Sequence, residues 1–168
     1  QIRDTHYETQ TETDAATPLI YAVADGMGGH NGGAFASELT AQHLEDAVHE
    51  LQPGLSGGEL QVFFNQWVQQ VHQLVIQRGI DIPEFYNMGT TLAGILVYNN
   101  RYYWMNIGDS RIYRFRNGLL TQVSTDHSMC HLYDSNVSSN IICNSIGAGQ
   151  EVFIDFDEIP IILDGDIF

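Results

Sequence analysis

A short apolar run that ends in an acid and a glycine cluster constrains this chain more than any other stretch. Residues 19–24 are long enough for one buried strand, and Asp25 follows them directly. Gly26 and Gly28 come next, before a segment with helical periodicity. Two interpretations fit this pattern equally well. One is a site for a hard cation, which prefers carboxylate and carbonyl oxygens. The other is a strand-to-helix turn that needs glycine for positive φ.

The rest of the chain reads as two helices followed mainly by strands. Apolar residues recur at helical spacing over residues 32–51, and Ser56 and Glu59 form a capping-box pattern before a second helix with a broad aromatic face. Alternating or continuous apolar runs predict strands at residues 90–98, 101–107, 110–115, 119–123, 151–157 and 161–168. This order predicts an α+β fold in which helices cover packed antiparallel sheets.

Length and charge bound the class of protein. The 168 residues are enough for a single domain, which we expect to span residues 1–168. A net charge of −15 disfavours nucleic acid and anionic membranes as partners. There is no long apolar run, so we expect a cytoplasmic protein. All six basic residues are arginines, which excludes the lysine of a phosphate-binding loop.

The glycine cluster does not match a nucleotide cradle, but a second acid lies in a comparable position. Counting from Gly26, the sixth position of a dinucleotide fingerprint is Asn31 rather than glycine. Further along, Gly108 and Asp109 form a tight turn between two predicted strands. Taken alone, this is an ordinary hairpin turn. Taken with Asp25, it places two acids at strand ends, where they could converge on one cluster of cations.

Five motifs, in order, resemble the metal-dependent serine/threonine protein phosphatases of type 2C, and the bacterial branch in particular. Each motif alone is weak to moderate evidence, whereas the ordered set is specific. The motifs are Val-Ala-Asp-Gly-Met-Gly-Gly-His at 23–30, Gly-Thr-Thr at 89–91, Gly-Asp-Ser-Arg at 108–111, Ser-Thr-Asp-His-Ser at 124–128 and Ser-Ile-Gly at 145–147.

The resemblance implies both a fold and a metal centre. The fold is two packed antiparallel sheets flanked by helices, a four-layer αββα sandwich whose last strands would lie beyond Phe168. The centre holds two manganese or magnesium ions. Asp25 would bridge them, the Gly26 carbonyl would bind one, and Asp109 would help to hold a third, looser ion. Arg3 resembles the arginine that grips the substrate phosphate, a role suited to a guanidinium fork.

The implied activity is hydrolysis of phosphoserine and phosphothreonine in proteins by a metal-activated water, with phosphorylated proteins as substrates and a monomeric enzyme. Asp126 and His127 would brace the structure rather than take part in chemistry. Two departures favour an alternative, a non-catalytic pseudophosphatase that binds proteins. The acidic motif that usually follows the N-terminal arginine is absent after Arg3, and the chain ends at Phe168 before two further acidic motifs. A plain acidic interaction domain is a third hypothesis.

Overall fold

The computed structural model describes residues 17–28, 30–128 and 142–168. Within them, two strands precede two long helices and mainly strands follow, whereas the sequence predicted a single strand before the helices. The helices are α1 (His30–His49) and α2 (Gly57–Asp81), with a short 3-10 helix at Pro83–Phe85. The strands are β1 (Leu19–Val23), β2 (Gly26–Met27), β3 (Gly89–Thr90), β4 (Leu92–Tyr98), β5 (Arg101–Ile107), β6 (Tyr113–Arg116), β7 (Leu119–Gln122) and β8 (Asp155–Glu158).

The largest sheet is antiparallel, with the strand order β1-β4-β5-β8. Asn99 and Asn100 join β4 to β5 with φ values of 49° and 58°, the left-handed backbone that asparagine tolerates in turns. Along β4, Leu92 and Leu96 are buried while Ile95 is only half-buried, as expected where successive side chains point to opposite faces. Two smaller antiparallel pairs, β2-β3 and β6-β7, complete the sheets.

The opposite face of the large sheet carries apolar side chains on β1, β4 and β5 and acidic ones on β8, and it is open at its β1 end. The register places Tyr21 opposite Ile95 and Ile95 opposite Trp104, so their side chains share this face. Tyr21 is 65% exposed and Val23 is 66% exposed. In the described part of the chain, this end of the sheet therefore faces solvent.

The two helices pack on the buried face of the large sheet. Phe64 of α2 stacks on Phe156 of β8 with ring centroids 5.1 Å apart, and Phe156 stacks on Tyr103 of β5 at 5.3 Å. The indole N–H of Trp67 donates to the carbonyl of His43, 3.2 Å away, and ties α2 to α1. The predicted aromatic face of the second helix is thus the core. The described residues contain no helix that is both long and apolar enough to cross a bilayer.

The predicted capping box at the start of α2 is confirmed. The Glu59 amide donates to the Ser56 hydroxyl at 3.3 Å, and the Ser56 amide donates to the Glu59 carboxylate at 2.8 Å. These two bonds satisfy two amides that a helix end leaves without a partner. The Ser56 amide and, at 2.7 Å, the Ser56 hydroxyl both donate to the Glu59 carboxylate and hold its pKa below the usual value.

Two strands begin several residues after their predicted starts, because side chains there bond the backbone groups that a neighbouring strand would otherwise bond. The first begins at Tyr113 rather than at residue 110, since the Ile112 amide donates to the Ser124 hydroxyl at 2.9 Å. The strand predicted at 151–157 begins at residue 155. Ahead of it, the amide group of Asn144 bonds both the N–H and the C=O of Phe153, at 3.1 and 2.8 Å.

The strand predicted at 161–168 is wrong. A turn forms instead, because the Asp166 carboxylate accepts the Leu163 amide at 2.9 Å and the Asp166 amide donates to the Leu163 carbonyl at 3.0 Å. Among the described residues, Ile167 alone of this segment makes a ladder contact, with Phe115 of β6. Arg116 pairs with the same Asp166 carboxylate and holds the turn against β6. Apart from these boundaries, the predicted α+β arrangement of antiparallel sheets and helices is confirmed.

Candidate metal centre

Asp25 lies between the end of β1 and the start of β2, with its side chain exposed. Thr91 holds its backbone from both sides. The Asp25 amide donates to the Thr91 hydroxyl at 3.2 Å, and the Thr91 amide donates to the Asp25 carbonyl at 3.0 Å. The carboxylate makes no hydrogen bond or ion pair with the other described residues, so a fixed backbone presents a carboxylate that is free to bind a cation.

The second predicted ligand, the Gly26 backbone carbonyl, lies on the side of β2 away from β3. Gly26 lies opposite Thr90 in the β2-β3 pair, while the N–H and C=O of Thr90 bond Ile146 on the other side, at 2.9 and 3.0 Å. Gly26 and Thr90 are therefore a pair without mutual hydrogen bonds, and the Gly26 carbonyl points away from β3.

Glycine is required at position 26 for close approach rather than for positive φ. An added Cβ would lie 1.9 Å from the carbonyl oxygen of Gly33, in the first turns of α1. The turn interpretation of the cluster applies two residues later, at Gly28, whose φ is 107°. The turn interpretation is therefore confirmed at Gly28, and the cation-site interpretation of the cluster stays a prediction.

Hydrogen bonds to Gly108, the residue before Asp109, fix the backbone of the Asp109 turn. The Gly108 amide donates to Nδ1 of His127 at 3.1 Å, and the Gly108 carbonyl accepts the His127 amide at 2.9 Å and the Asn106 side chain at 3.2 Å. Asp109 itself is half-buried, and its carboxylate has no hydrogen bond or ion pair with the described residues. As at Asp25, hydrogen bonds fix the backbone that carries the acid.

Thr91 joins the Asp25 loop to the Asp109 turn. Its hydroxyl lies 2.6 Å from the hydroxyl of Ser110, the residue after Asp109. Gly108 packs directly on the Thr91 side chain, where an added Cβ would come within 2.6 Å of the Thr91 methyl. The backbone segments that carry the two predicted ligands are therefore neighbours.

The oxygen donors at these positions fit a hard divalent cation in chemical type. Asp25 and Asp109 offer carboxylates and Gly26 offers a carbonyl. Over residues 17–28, 30–128 and 142–168, no group of three or more acidic, histidine or cysteine side chains comes close enough to hold a metal ion. Those residues alone therefore do not complete a coordination sphere. The predicted phosphate ligand Arg3 lies outside the described residues.

Asp126 lies in a tight network of hydrogen bonds. The Arg111 guanidinium donates to both of its carboxylate oxygens, with a shortest distance of 2.6 Å, and Gln122 donates to one of them at 2.9 Å. Asp126 is buried, and the paired carboxylate holds the pKa of Arg111 above its usual range. This pairing is consistent with the bracing role expected for Asp126.

His127 is 1% exposed and connects three segments. Its Nδ1 faces both the Gly108 amide and the Asn144 amide group, the latter at 2.6 Å, so Nδ1 is the acceptor. Its Nε2 then carries the hydrogen and donates to Asp155 on β8 at 3.0 Å. The imidazole thus fixes the Asp109 turn against the large sheet.

A buried histidine supports the site from the side of α2. Nδ1 of His72 accepts the Gly147 amide at 3.0 Å, next to Ile146, which pairs with Thr90. His72 is fully buried, and this burial lowers its pKa, an effect that the Ser145 backbone partly offsets. Sequence reasoning missed the roles of Thr91, Ser110 and His72. The first two lie inside the Gly-Thr-Thr and Gly-Asp-Ser-Arg motifs, so their hydroxyls are the available signal.

The family model described as Protein phosphatase 2C matches residues 3–145. The serine/threonine phosphatase stp of Listeria welshimeri is 31% identical over 152 residues, which is 84% of this chain and 60% of that protein. The chain therefore spans about three fifths of the length of this curated relative.

Solved structures agree with the family model. The Streptococcus agalactiae serine/threonine phosphatase superposes with a TM-score of 0.75 at 26% identity, covering 89% of this chain and 65% of that one. The catalytic domain of the serine/threonine protein phosphatase PstP, solved in complex with two manganese ions, gives a TM-score of 0.66 at 30% identity, covering 90% of this chain and 68% of that one. With its motif order, its fold and most of its length matching these bacterial proteins, the chain belongs to the protein phosphatase 2C family.

Proposed function

We propose that this chain is the metal-binding part of a protein phosphatase that hydrolyses phosphoserine and phosphothreonine in proteins. The observation that carries the proposal is the arrangement around Asp25. Thr91 fixes both backbone groups of this residue, while its carboxylate is exposed and without a partner among the described residues. The relatives described above are all named as phosphatases, which favours an enzyme over a non-catalytic binding module.

In this proposal, Asp25 and the Gly26 carbonyl bind two manganese or magnesium ions, and Asp109 contributes to a looser third site. When bound, the two cations supply a metal-activated water as nucleophile and polarise the phosphoryl oxygens. The chain holds the oxygens in place. Thr91 fixes the Asp25 backbone, and His127 fixes the Asp109 turn. Rigid supports of this kind limit the reorganisation that occurs on binding.

Substrate phosphate would be bound by Arg3, whose guanidinium matches two phosphate oxygens. The net charge of −15 disfavours nucleic acid and anionic membrane surfaces as partners. We propose phosphorylated proteins as the substrates and a cytoplasmic monomer as the acting form. We further propose that residues 1–168 belong to one domain.

Hydrolysis of a phosphothreonine peptide, followed by phosphate release, tests the proposal. We expect activity that depends on added Mn²⁺ and that Asp25→Asn abolishes. The loss should exceed the about 10- to 100-fold typical for residues that merely support a metal ligand. Asp46→Asn, at an exposed position on α1, is the matched control and should leave activity unchanged. Activity retained in Asp25→Asn, or activity that needs no divalent cation, would overturn the proposal.

A further inference from the structure

Ser110 reaches the Asp25 loop through another hydroxyl. Its Oγ lies 2.6 Å from Oγ1 of Thr91, and Oγ1 of Thr91 in turn accepts the Asp25 amide at 3.2 Å. A hydroxyl has one donor hydrogen and two acceptor positions, so Thr91 can take part in both bonds at once. The bond to Ser110 therefore selects the orientation in which Thr91 can hold the Asp25 amide.

Thr91 is closed in on its remaining sides. It is 2% exposed, and its methyl group lies against Gly108, where even a Cβ would clash. Turning about the Cα–Cβ bond would move the hydroxyl away from Asp25. Two contacts therefore set the orientation of Thr91. Its methyl group packs on Gly108 and its hydroxyl bonds Ser110, and both residues belong to the Asp109 turn.

That turn is itself rigid. His127 bonds the N–H and the C=O of Gly108 at 3.1 and 2.9 Å, and Asn106 adds a third bond to the same carbonyl. Gly108 has a φ of 99°, which commits the turn to a backbone that other residues rarely adopt. Ser110 is therefore presented to Thr91 by a backbone that is fixed independently of Asp25.

We propose that Ser110 is a positioning residue for the Asp25 metal ligand and acts through the hydroxyl of Thr91. The proposal rests on the function proposed above, because it assigns Asp25 to the metal centre. One consequence is that a change in the Asp109 turn reaches the Asp25 loop through two hydroxyls.

The test compares Ser110→Ala with Ser110→Thr, which keeps the hydroxyl. The matched control is Ser124→Ala. The Ser124 hydroxyl accepts the Ile112 amide at 2.9 Å, so its loss removes a buried hydrogen bond without touching Thr91. Two quantities are measured. One is the dissociation constant for Mn²⁺ by calorimetry, and the other is hydrogen exchange at the Asp25 amide in the metal-free chain.

We expect Ser110→Ala to weaken Mn²⁺ binding and to speed exchange at the Asp25 amide, each by about 3- to 10-fold, the scale of one neutral hydrogen bond. Ser110→Thr should restore both values, and Ser124→Ala should change neither. Unchanged exchange at the Asp25 amide in Ser110→Ala overturns the positioning role, whatever the metal data show. If exchange changes but the unaltered chain binds no Mn²⁺, the metal centre fails and the proposal falls with it. Equal loss in Ser124→Ala shows a general structural effect and also overturns it.

Discussion

His127 offers the sharpest test of how the site is held together, through the substitution His127→Leu. The imidazole is 1% exposed, and it accepts two hydrogen bonds at Nδ1, from the Gly108 amide and from Asn144. Leucine keeps a similar volume and an apolar contact with Phe153, whose ring centroid is 4.6 Å from that of His127. The substitution therefore removes the hydrogen bonds with little change in packing.

The magnitude follows from what is left without a partner. A buried donor that loses its acceptor costs about 1–3 kcal/mol, and two donors are stranded here, one on Gly108 and one on Asn144. The side chain of Asp155 is 37% exposed, so water can replace its bond to Nε2 at little cost. We therefore expect His127→Leu to lower the free energy of unfolding by about 3 kcal/mol, a large share of the about 5–15 kcal/mol of a typical domain.

Urea unfolding with linear extrapolation measures this loss. The control is His43→Leu, at an exposed position on α1, which should change stability by no more than about 0.5 kcal/mol. We also expect weaker Mn²⁺ binding in His127→Leu, since the Asp109 turn loses its support. A loss of stability below about 1 kcal/mol would refute the reasoning, because it would mean that the stranded donors find other partners or were never bonded.

Three further predictions concern packing and pH. Gly26→Ala should unseat α1 from β2 and lower both the melting temperature and Mn²⁺ affinity, since the new Cβ would lie 1.9 Å from the Gly33 carbonyl oxygen. Arg116 lowers the pKa of Asp166 from 3.8 to about 2, so the stabilisation by this pair is complete above pH 3.8 and is lost as the pH falls towards 2. The difference in melting temperature between the unaltered chain and Asp166→Asn should vanish over that window. Burial lowers the pKa of His72 below 6.5, so the unfolded chain takes up this proton first and stability falls as the pH drops below 6.5. His72→Gln should flatten that part of the melting-temperature profile.

The sequence predicts the elements of this fold well because they depend on local patterns. The capping box of Ser56 and Glu59 sets the start of α2, and the apolar run before Asp25 becomes β1. The errors lie where a side chain replaces a backbone partner. Asn144 pairs with Phe153 in place of a strand, and Asp166 closes a turn where a strand was expected. A side chain that takes the place of a backbone partner leaves no periodic pattern in the sequence.

The sequence predicts the acidic residues of the candidate site but not the residues that hold them in place. Asp25 and Asp109 stand out as acids at strand ends beside glycine. The bond from the Asp25 amide to Thr91 joins residues 66 positions apart, and the contact between Thr91 and Ser110 depends on the register of β4 with β5. A single sequence does not encode such distances in any local pattern. The roles of Asp25, Gly26, Asp109 and Arg3 as ligands therefore stay predictions.

The central claim is that the Asp25 carboxylate and the Gly26 carbonyl hold divalent cations. Anomalous diffraction from crystals of this chain grown with millimolar Mn²⁺ tests it most directly, because the signal locates the metal itself. We predict a manganese peak in contact with both oxygens, and its disappearance in Asp25→Asn crystals grown the same way. Manganese bound elsewhere, with no peak at Asp25, would contradict the account.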